Sequence, residues 1–411
     1  MAEKYKNESR LELGPIEGDL ELDNVERIYP KEGEEIVVNG KIRIKGETEF
    51  EGTLKAHSIE VRSRDRLTIH GDLVLQGDAL VKKGSLVVNG SATGRLFDVG
   101  GSFSVRENLE CEAARGGGSV KVEGNATAQR IMGGGSVKIQ GDAKVARLQG
   151  GGSVKVGRLV TTDELSAGGS GKVNQGEIGK VEVGGSFKST GPVVVEDIDV
   201  GGSVKLAGGS KVEAVDVGGS FKTDGDLEFG DIDVGGTVKI SGTAKGKTID
   251  VGGTVVIGGT LHLENIEVGG KVEVDEDLHC TRKIKVGGTV SVGGRINTFR
   301  IVVGGRIEAK YIKASDGFRI GKRAEVTGNV ESGEILIRER ARTKSLYGDD
   351  IRIEERARVG AIYGRTIYIE RDAIVEGEVL YTETLDAEHD VKFRVEPKKV
   401  DQLPPPEQVL E

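Results

Sequence analysis

The sequence predicts an all-β fold, a single-stranded β-helix (β-solenoid) with triangular coils of about 17 residues. Three observations predict it. A double glycine recurs along the middle of the chain, apolar and polar residues alternate on both sides of it, and Pro192 is the sole proline between Pro30 and Pro397. Because proline cannot donate to a strand ladder, this proline-poor stretch indicates continuous sheet. A period this short is too small for a domain and is typical of one turn of a solenoid.

The double glycines set the length of each coil. Their second members are spaced 16, 17 or 18 residues apart, at Gly101, Gly118, Gly135, Gly152, Gly169, Gly185, Gly202, Gly219, Gly236, Gly253, Gly270, Gly288 and Gly305. Around Gly236, the apolar residues Ile232, Val234, Val238 and Ile240 alternate with polar ones, and most coils have a third apolar pair further along. Three short strands per coil, each alternating with period two, therefore point six apolar columns inward.

The predicted array has three parts. Residues 1–35 are predicted to form an N-terminal segment or cap, and residues 396–411 a proline-rich C-terminal tail. Residues 36–395 are predicted to form the β-helix, with regular double-glycine coils at about 95–310 and degenerate coils before and after. The sequence leaves open whether the terminal parts cover the ends of the array or leave the end coils free.

Two requirements favour glycine at the recurring corner. A sharp corner often needs a positive φ, and glycine also allows the backbones of successive coils to stack closely. A phosphate-binding glycine loop occurs once in a chain and opens a helix. Here the double glycine recurs and opens a strand, as in "IDVGGTVKI", residues 232–240. The pattern therefore predicts a repeated corner.

Composition and motifs narrow the classes of function. Thirty per cent of the residues are charged and the net charge is −9, which argues against a general nucleic-acid binder. The start, "MAEKYKNESR", has no apolar stretch, and no run approaches the roughly 18 apolar residues of a membrane span, so we expect a cytoplasmic protein. No serine–histidine–acid set or paired-carboxylate set marks one pocket. We therefore expect no catalytic residues, no cofactor and no enzymatic activity.

Stacking turns each outward position into a column of side chains, and one column is basic. It lies three residues after the second glycine and holds Lys121, Lys138, Lys155, Lys172, Lys188, Lys205, Lys222 and Lys239. On the other side of the same corner is an acidic column, Asp199, Asp216, Asp233, Asp250 and Glu267. We expect the two columns to offset each other as a solvated surface. The alternative is a stripe that docks an anionic partner, such as a membrane surface, a polyanion or a neighbouring filament.

Three smaller features are further candidates for a functional site. Tyr347, Tyr363 and Tyr381 are expected to align as an aromatic stack near the C-terminal end, either structural or an end-proximal contact site; each lies four residues before an inward apolar residue. His262 and His279 are expected to be outward neighbours in adjacent coils, without a third metal ligand. Cys111 and Cys280 fall at an inward position, so we expect two buried thiols too far apart to form a disulfide.

One stretch resembles a known family. "FRIGKRAEVTGNVESGEILI", residues 318–337, is similar to the coils of bactofilins, which are polymer-forming cytoskeletal proteins. The residues that match the family pattern are Ile320, Gly321, Ala324, Val326, Gly328, Val330, Ile335 and Ile337. The resemblance implies a right-handed triangular β-helix, polymerisation through terminal coils without nucleotide, and flexible tails that often contain proline. The present chain has several times as many coils as a usual bactofilin.

Two main hypotheses about function follow. The first is a structural protein that self-assembles by end-to-end stacking into filaments or a rigid cytoskeletal scaffold, with itself as its main partner and no specific nucleic acid. The alternative is a β-helix subunit of a larger complex, either a scaffold without chemistry or an acyltransferase-like solenoid enzyme. A surface adhesin is disfavoured because the sequence shows no signal peptide.

Overall fold

A computed structural model describes residues 2–410 of the chain. It is an all-β solenoid of about 23 coils, in which coils about 17 residues apart stack in parallel. Every register between named strands in the described chain is parallel, and one short helix, α1 (Pro406–Val409), ends the structure. The predicted fold class is therefore confirmed. The chain divides into two compact units, Met1–Leu206 and Ala207–Glu411.

The first 25 strands range from 2 to 11 residues in length. Their bounds are β1 Glu3–Leu13, β2 Leu20–Pro30, β3 Glu35–Lys45, β4 Thr48–Phe50, β5 Thr53–Val61, β6 Leu67–Ile69, β7 Leu73–Leu75, β8 Asp78–Val81, β9 Leu86–Val88, β10 Ala92–Thr93, β11 Leu96–Val99, β12 Phe103–Val105, β13 Leu109–Glu110, β14 Ala113–Gly116, β15 Ser119–Val122, β16 Ala126–Gly133, β17 Ser136–Ile139, β18 Ala143–Gly150, β19 Ser153–Val156, β20 Leu159–Ala167, β21 Ser170–Val173, β22 Gln175–Val183, β23 Ser186–Ser189, β24 Val193–Val200 and β25 Ser203–Ala207.

The remaining strands continue the same alternation of long and short segments. Their bounds are β26 Ser210–Val217, β27 Ser220–Asp224, β28 Leu227–Val234, β29 Thr237–Ile240, β30 Ala244–Lys245, β31 Thr248–Val251, β32 Thr254–Ile257, β33 Leu261–Val268, β34 Lys271–Val274, β35 Leu278–Val286, β36 Thr289–Val292, β37 Arg295–Val303, β38 Arg306–Glu308, β39 Tyr311–Ile320, β40 Glu325–Val326, β41 Asn329–Ile337, β42 Arg342–Thr343, β43 Leu346–Ile353, β44 Arg358–Val359, β45 Ile362–Ile369, β46 Ile374–Val375, β47 Val379–Ala387, β48 Lys392–Phe393 and β49 Lys398–Lys399.

The core of each unit consists of the apolar columns. In the second unit, Ile232, Val234, Val238 and Ile240 are at most 1% exposed, and the residues between them point outward. In the first unit, β17 pairs with β19 so that like positions of successive coils stack, and Val137 lies on Val154. Because each coil is too narrow to bury its apolar side chains alone, the core forms only when coils stack.

The double-glycine corner is explained by close approach of the backbones. None of its glycines in the described chain has a positive φ, so the expectation of a left-handed corner is wrong. A Cβ atom added at Gly235 or Gly236 would lie 2.6 or 2.3 Å from the carbonyl oxygen of the glycine one coil earlier. Any larger residue would push the coils apart. Glycine is therefore needed here for space rather than for its backbone freedom.

Other corners use different chemistry. In the first unit, stacked Asx side chains accept backbone N–H groups from the next coil: Asp142 N donates to Asn125 Oδ1 at 2.8 Å, and Leu159 N to Asp142 Oδ1 at 3.0 Å. Late coils of the second unit instead place a left-handed residue before a fully buried alanine, as at Arg356 (φ 58°) and Ala357. These corners need no double glycine, which explains why that motif stops before the C-terminal coils.

The solenoid extends beyond the predicted boundaries. β1 pairs with β2 over Glu3 to Leu13, and β2 pairs with β3, so stacked strands begin well before residue 36. At the other end, β49 pairs with β47 within the predicted tail. The proline-rich tail is also ordered near its end, because Leu410 is 3% exposed and its carbonyl oxygen accepts a hydrogen bond from Asn329 Nδ2.

The glycine corner gives a direct test. We expect Gly236→Ala to destabilise the second unit by about 1–3 kcal/mol, because the new methyl group has no space against the Gly219 carbonyl. Chemical denaturation followed by far-UV circular dichroism measures the change. The matched control is Gly317→Ala, whose Cβ would meet its nearest neighbour, Arg300 Nε, at an ordinary 3.5 Å. An equal loss of stability in the two variants would contradict the close-approach explanation.

Candidate functional site

The lysine column is a continuous basic surface in the first unit. Lys138, Lys155, Lys172 and Lys188 are exposed and stack in register on successive coils. The columns on both sides of them are neutral: the serines Ser136, Ser153, Ser170 and Ser186 on one side, and Gln140, Gly157, Asn174 and Thr190 on the other. Lys121 differs, since it forms an ion pair with Glu123.

The expected compensation by an opposed acidic column does not hold for these coils. Across the glycine corner from Lys138, Lys155 and Lys172 lie Met132, Gln149 and Ser166, and acidic residues enter that column only at Glu182 and Asp199. Three successive lysines in the first unit are thus without an opposed carboxylate.

The acidic column is continuous in the second unit. Asp216, Asp233 and Asp250 are exposed and in register, followed by Glu267, which is ion-paired with Lys285. Lys222 and Lys239, the last two members of the basic column, lie on the adjacent face of the coils that contain Asp216 and Asp233. Opposed charges therefore begin with Glu182 and Lys188 near the end of the first unit and continue through these coils of the second.

The tyrosine stack contains two residues instead of three. The rings of Tyr347 and Tyr363 stack with centroids 6.2 Å apart. Tyr381 pairs with Gly364, because an irregularity in β47 shifts the register by one residue, so its predicted alignment is wrong. Burial and a 2.7 Å hydrogen bond to Glu378 raise the pKa of Tyr363.

The end of the chain lies beside this tyrosine pair. Burial is the largest cause that raises the pKa of Tyr347, and Glu407 of α1 is one of the charges that raise it further. The same carboxylate acts on Tyr311, whose neighbour in register, Asn329, binds the Leu410 carbonyl. The C-terminal segment thus acts on Tyr347 by charge, and its direct contact here is the hydrogen bond from Asn329.

The predicted histidine pair is present. The rings of His262 and His279 stack at 4.7 Å with an interplanar angle of 8°, and Asn297 Nδ2 lies 3.3 Å from His279 Nδ1. Burial lowers the pKa of His262, and the neighbouring His279 and Lys245 lower it further. Within residues 2–410 this pair belongs to no group of three or more potential metal-ligating side chains.

A different cluster, which the sequence analysis missed, does bring such side chains together. Glu49, Glu51 and His70 place one potential ligand atom each within 4.8 Å of one another. His70 Nε2 lies 3.6 Å from Glu49 Oε2 and 3.8 Å from Glu51 Oε1. Arg27 also contacts Glu49 at 3.4 Å. The sequence pattern that could have predicted this cluster is two outward glutamates two residues apart, followed by a histidine one coil later.

The two cysteines are free thiols. Cys280 is 2% exposed and in register with Leu263, as its inward position predicts. Cys111 is only half-buried, and burial followed by the charges of Glu110 and Glu112 raises its pKa to about 12. Both thiols are therefore poor nucleophiles at neutral pH.

The N-terminal end coil has charged residues in the core columns. Glu3 and Glu8 lie in register with the fully buried Leu20 and Val25 of the next coil. Tyr5, in register with buried Leu22, donates a hydrogen bond to Glu3 Oε2 at 3.1 Å. Charged side chains at inward positions of an edge strand oppose pairing with another strand edge.

The C-terminal end coil is apolar at the corresponding positions. Leu385, Ala387 and Phe393 lie in register with the buried residues of the preceding coil, and Leu385 and Phe393 are only half-buried. Val395, nearby in the sequence, is 43% exposed. β47 pairs with β49 at Leu380 and Tyr381 alone, which leaves the rest of its outer edge without a strand partner in the described chain. This end coil is an incomplete core layer.

No protein-family model, curated protein or solved structure matches the chain. The resemblance to bactofilins therefore rests on residues 318–337 and on the similar spacing of the other coils across roughly residues 36–380. In the structure, the apolar residues of that match are at most 3% exposed, and a Cβ at Gly321 would lie 2.1 Å from the Gly304 carbonyl oxygen. These are the residue types that stacked coils require, so the matching residues indicate a β-helix fold. No helix described between residues 2 and 410 is long and apolar enough to cross a membrane.

The histidine pair gives a prediction about pH. Because the pKa of His262 is lowered in the folded chain, the unfolded chain binds a proton first as pH falls through about 6.5. We expect the free energy of unfolding of the second unit to decrease from pH 7 toward pH 5 because of this residue. The variant His262→Gln should show a smaller decrease. NMR titration of the imidazole, with the urea-unfolded chain as reference, measures the shift. A folded-state pKa at or above the unfolded-state value would contradict it.

Proposed function

We propose that the protein is a structural, non-catalytic scaffold that associates with itself through its C-terminal end coil, without nucleotide. The observation that carries the proposal is the incomplete core layer formed by Leu385, Ala387 and Phe393. We propose a cytoplasmic location for this scaffold, which its two free thiols favour.

The C-terminal end coil has two features that favour association. Its apolar residues continue the core columns, so a second copy placed on this end would bury them as the next coil of the solenoid would. Burying a large apolar side chain fully contributes about 1.5–3 kcal/mol, and the half-exposed residues here would gain part of that. The outer edge of β47 also offers free N–H and C=O groups, which a partner strand can satisfy.

The N-terminal end coil argues for a particular arrangement. Stacking the C-terminal end of one copy on the N-terminal end of another would bury Glu3 and Glu8 in apolar columns, which is costly for unpaired charges. Two C-terminal ends instead present apolar surface to each other. We therefore propose a symmetric pair joined at its C-terminal ends, as in most homo-oligomers with one self-complementary interface. A longer assembly then requires contacts on other surfaces.

This proposal is tested by the mass of the protein in solution. In about 0.5 M NaCl, where exposed ion pairs are screened, we expect the wild-type chain to sediment as a dimer at micromolar concentration. Under the same conditions we expect Leu385→Lys/Phe393→Lys to sediment as a monomer with unchanged circular dichroism. The matched control is Val194→Lys/Phe299→Lys, which introduces the same charges at an aliphatic and an aromatic residue that are both 49% exposed away from the end coil. A monomeric wild type, or a variant that still dimerises, would overturn the proposal.

A further inference from the structure

We propose that copies of this chain also associate side to side, with the lysine column of one copy against the acidic column of another. The basic surface is Lys138, Lys155 and Lys172 of the first unit, and the acidic surface is Asp216, Asp233 and Asp250 of the second. The inference deepens the proposed scaffold function and rests on it, but it uses different residues from the end contact.

The first support is that the spacing matches. Both columns have one charge per coil, and coils stack at about 4.8 Å in any parallel β-solenoid. Three lysines can therefore face three aspartates in register without bending either surface. A partner with another repeat distance would lose this match after one or two contacts.

The second support is that the three lysines have little compensation in their own chain, where Glu123 acts on Lys138. Their neighbours in the flanking columns are serine, glutamine, glycine and asparagine, and the residues across the corner are Met132, Gln149 and Ser166. Three like charges this close repel one another, so an opposed row of carboxylates relieves the repulsion as well as forming ion pairs. Single exposed ion pairs are weak, but a row in fixed register acts as a network.

The third support is access. Each charged column lies beside the double-glycine corner, where Gly134 and Gly135 flank the lysines and Gly235 and Gly236 flank the aspartates. Only serine or threonine side chains stand between the lysines and this corner. A second copy can therefore bring its charged column close, which bulky neighbours would prevent.

The two surfaces differ from each other, so the contact is heterologous. A heterologous contact that does not close into a ring continues from copy to copy. Side-to-side contacts would therefore link the end-joined pairs into an extended array. Because the contacts are exposed ion pairs, the array should form at low ionic strength and dissolve when salt screens the charges.

The test uses two complementary variants in the end-blocked background Leu385→Lys/Phe393→Lys, so that failure of the end contact does not affect it. One variant is Lys138→Glu/Lys155→Glu/Lys172→Glu, and the other is Asp216→Lys/Asp233→Lys/Asp250→Lys. Each variant then carries two columns of the same sign. We expect each alone to stay monomeric, and an equimolar mixture to co-assemble, measured by light scattering at about 0.02 M and about 0.5 M NaCl.

The control has the same change of net charge at exposed lysines of the first unit outside the column: Lys31→Glu/Lys83→Glu/Lys144→Glu. We expect this variant to assemble like its end-blocked parent, with a weight-average mass several-fold above the monomer at low salt. A parent that never assembles, or a mixture that fails to co-assemble, would overturn the side-to-side contact while leaving the end contact standing. Binding of the parent to phosphatidylserine vesicles without co-assembly of the mixture would overturn it in favour of an anionic lipid surface.

Discussion

The close approach of backbones at the double-glycine corner is the constraint on which the regular coils depend. A Cβ atom added at Gly236 would lie 2.3 Å from the Gly219 carbonyl oxygen, so no larger residue fits without moving a neighbouring coil. This corner fixes where each coil begins, and hydrogen bonds between successive corners, such as Gly235 N to Val217 O at 3.0 Å, hold it in place. Once the corner is fixed, the alternation of strand residues determines which side chains enter the core.

A fixed register also turns single residues into columns, and most of the surface chemistry lies in those columns. A lysine that would be unremarkable alone becomes one of a row when Lys138, Lys155 and Lys172 share one position in successive coils. The same stacking brings the rings of His262 and His279 to 4.7 Å. Side chains in columns interact more strongly with copies of themselves, or with an equally spaced partner, than with an isolated ligand.

Features that repeat from coil to coil could be predicted from the sequence, whereas features that occur once or interrupt the repeat could not. The inward residues Val234, Val238 and Ile240 were found because their period is uninterrupted. Tyr381 was misplaced because one irregularity in β47 shifts the register, and a simple count of residues cannot see a bulge. Coils before residue 36 were missed for a similar reason, since β1 and β2 lack double glycines and their spacing is irregular. The Glu49–Glu51–His70 cluster was missed because it occurs once.

The two end coils hold information that a repeat cannot supply. An internal coil must fit the coils before and after it, so most of its inward residues are apolar, with exceptions such as Ser189 and Thr223. An end coil has one neighbour, and its inward residues are free to differ. At the N-terminal end, the charges of Glu3 and Glu8 oppose the stacking of a further coil. At the C-terminal end, Leu385 and Phe393 are apolar, like the inward residues of an internal coil. Charged inward residues at the C-terminal end would oppose further stacking there as they do at the N-terminal end. The apolar C-terminal end coil is the observation on which the proposed self-association depends.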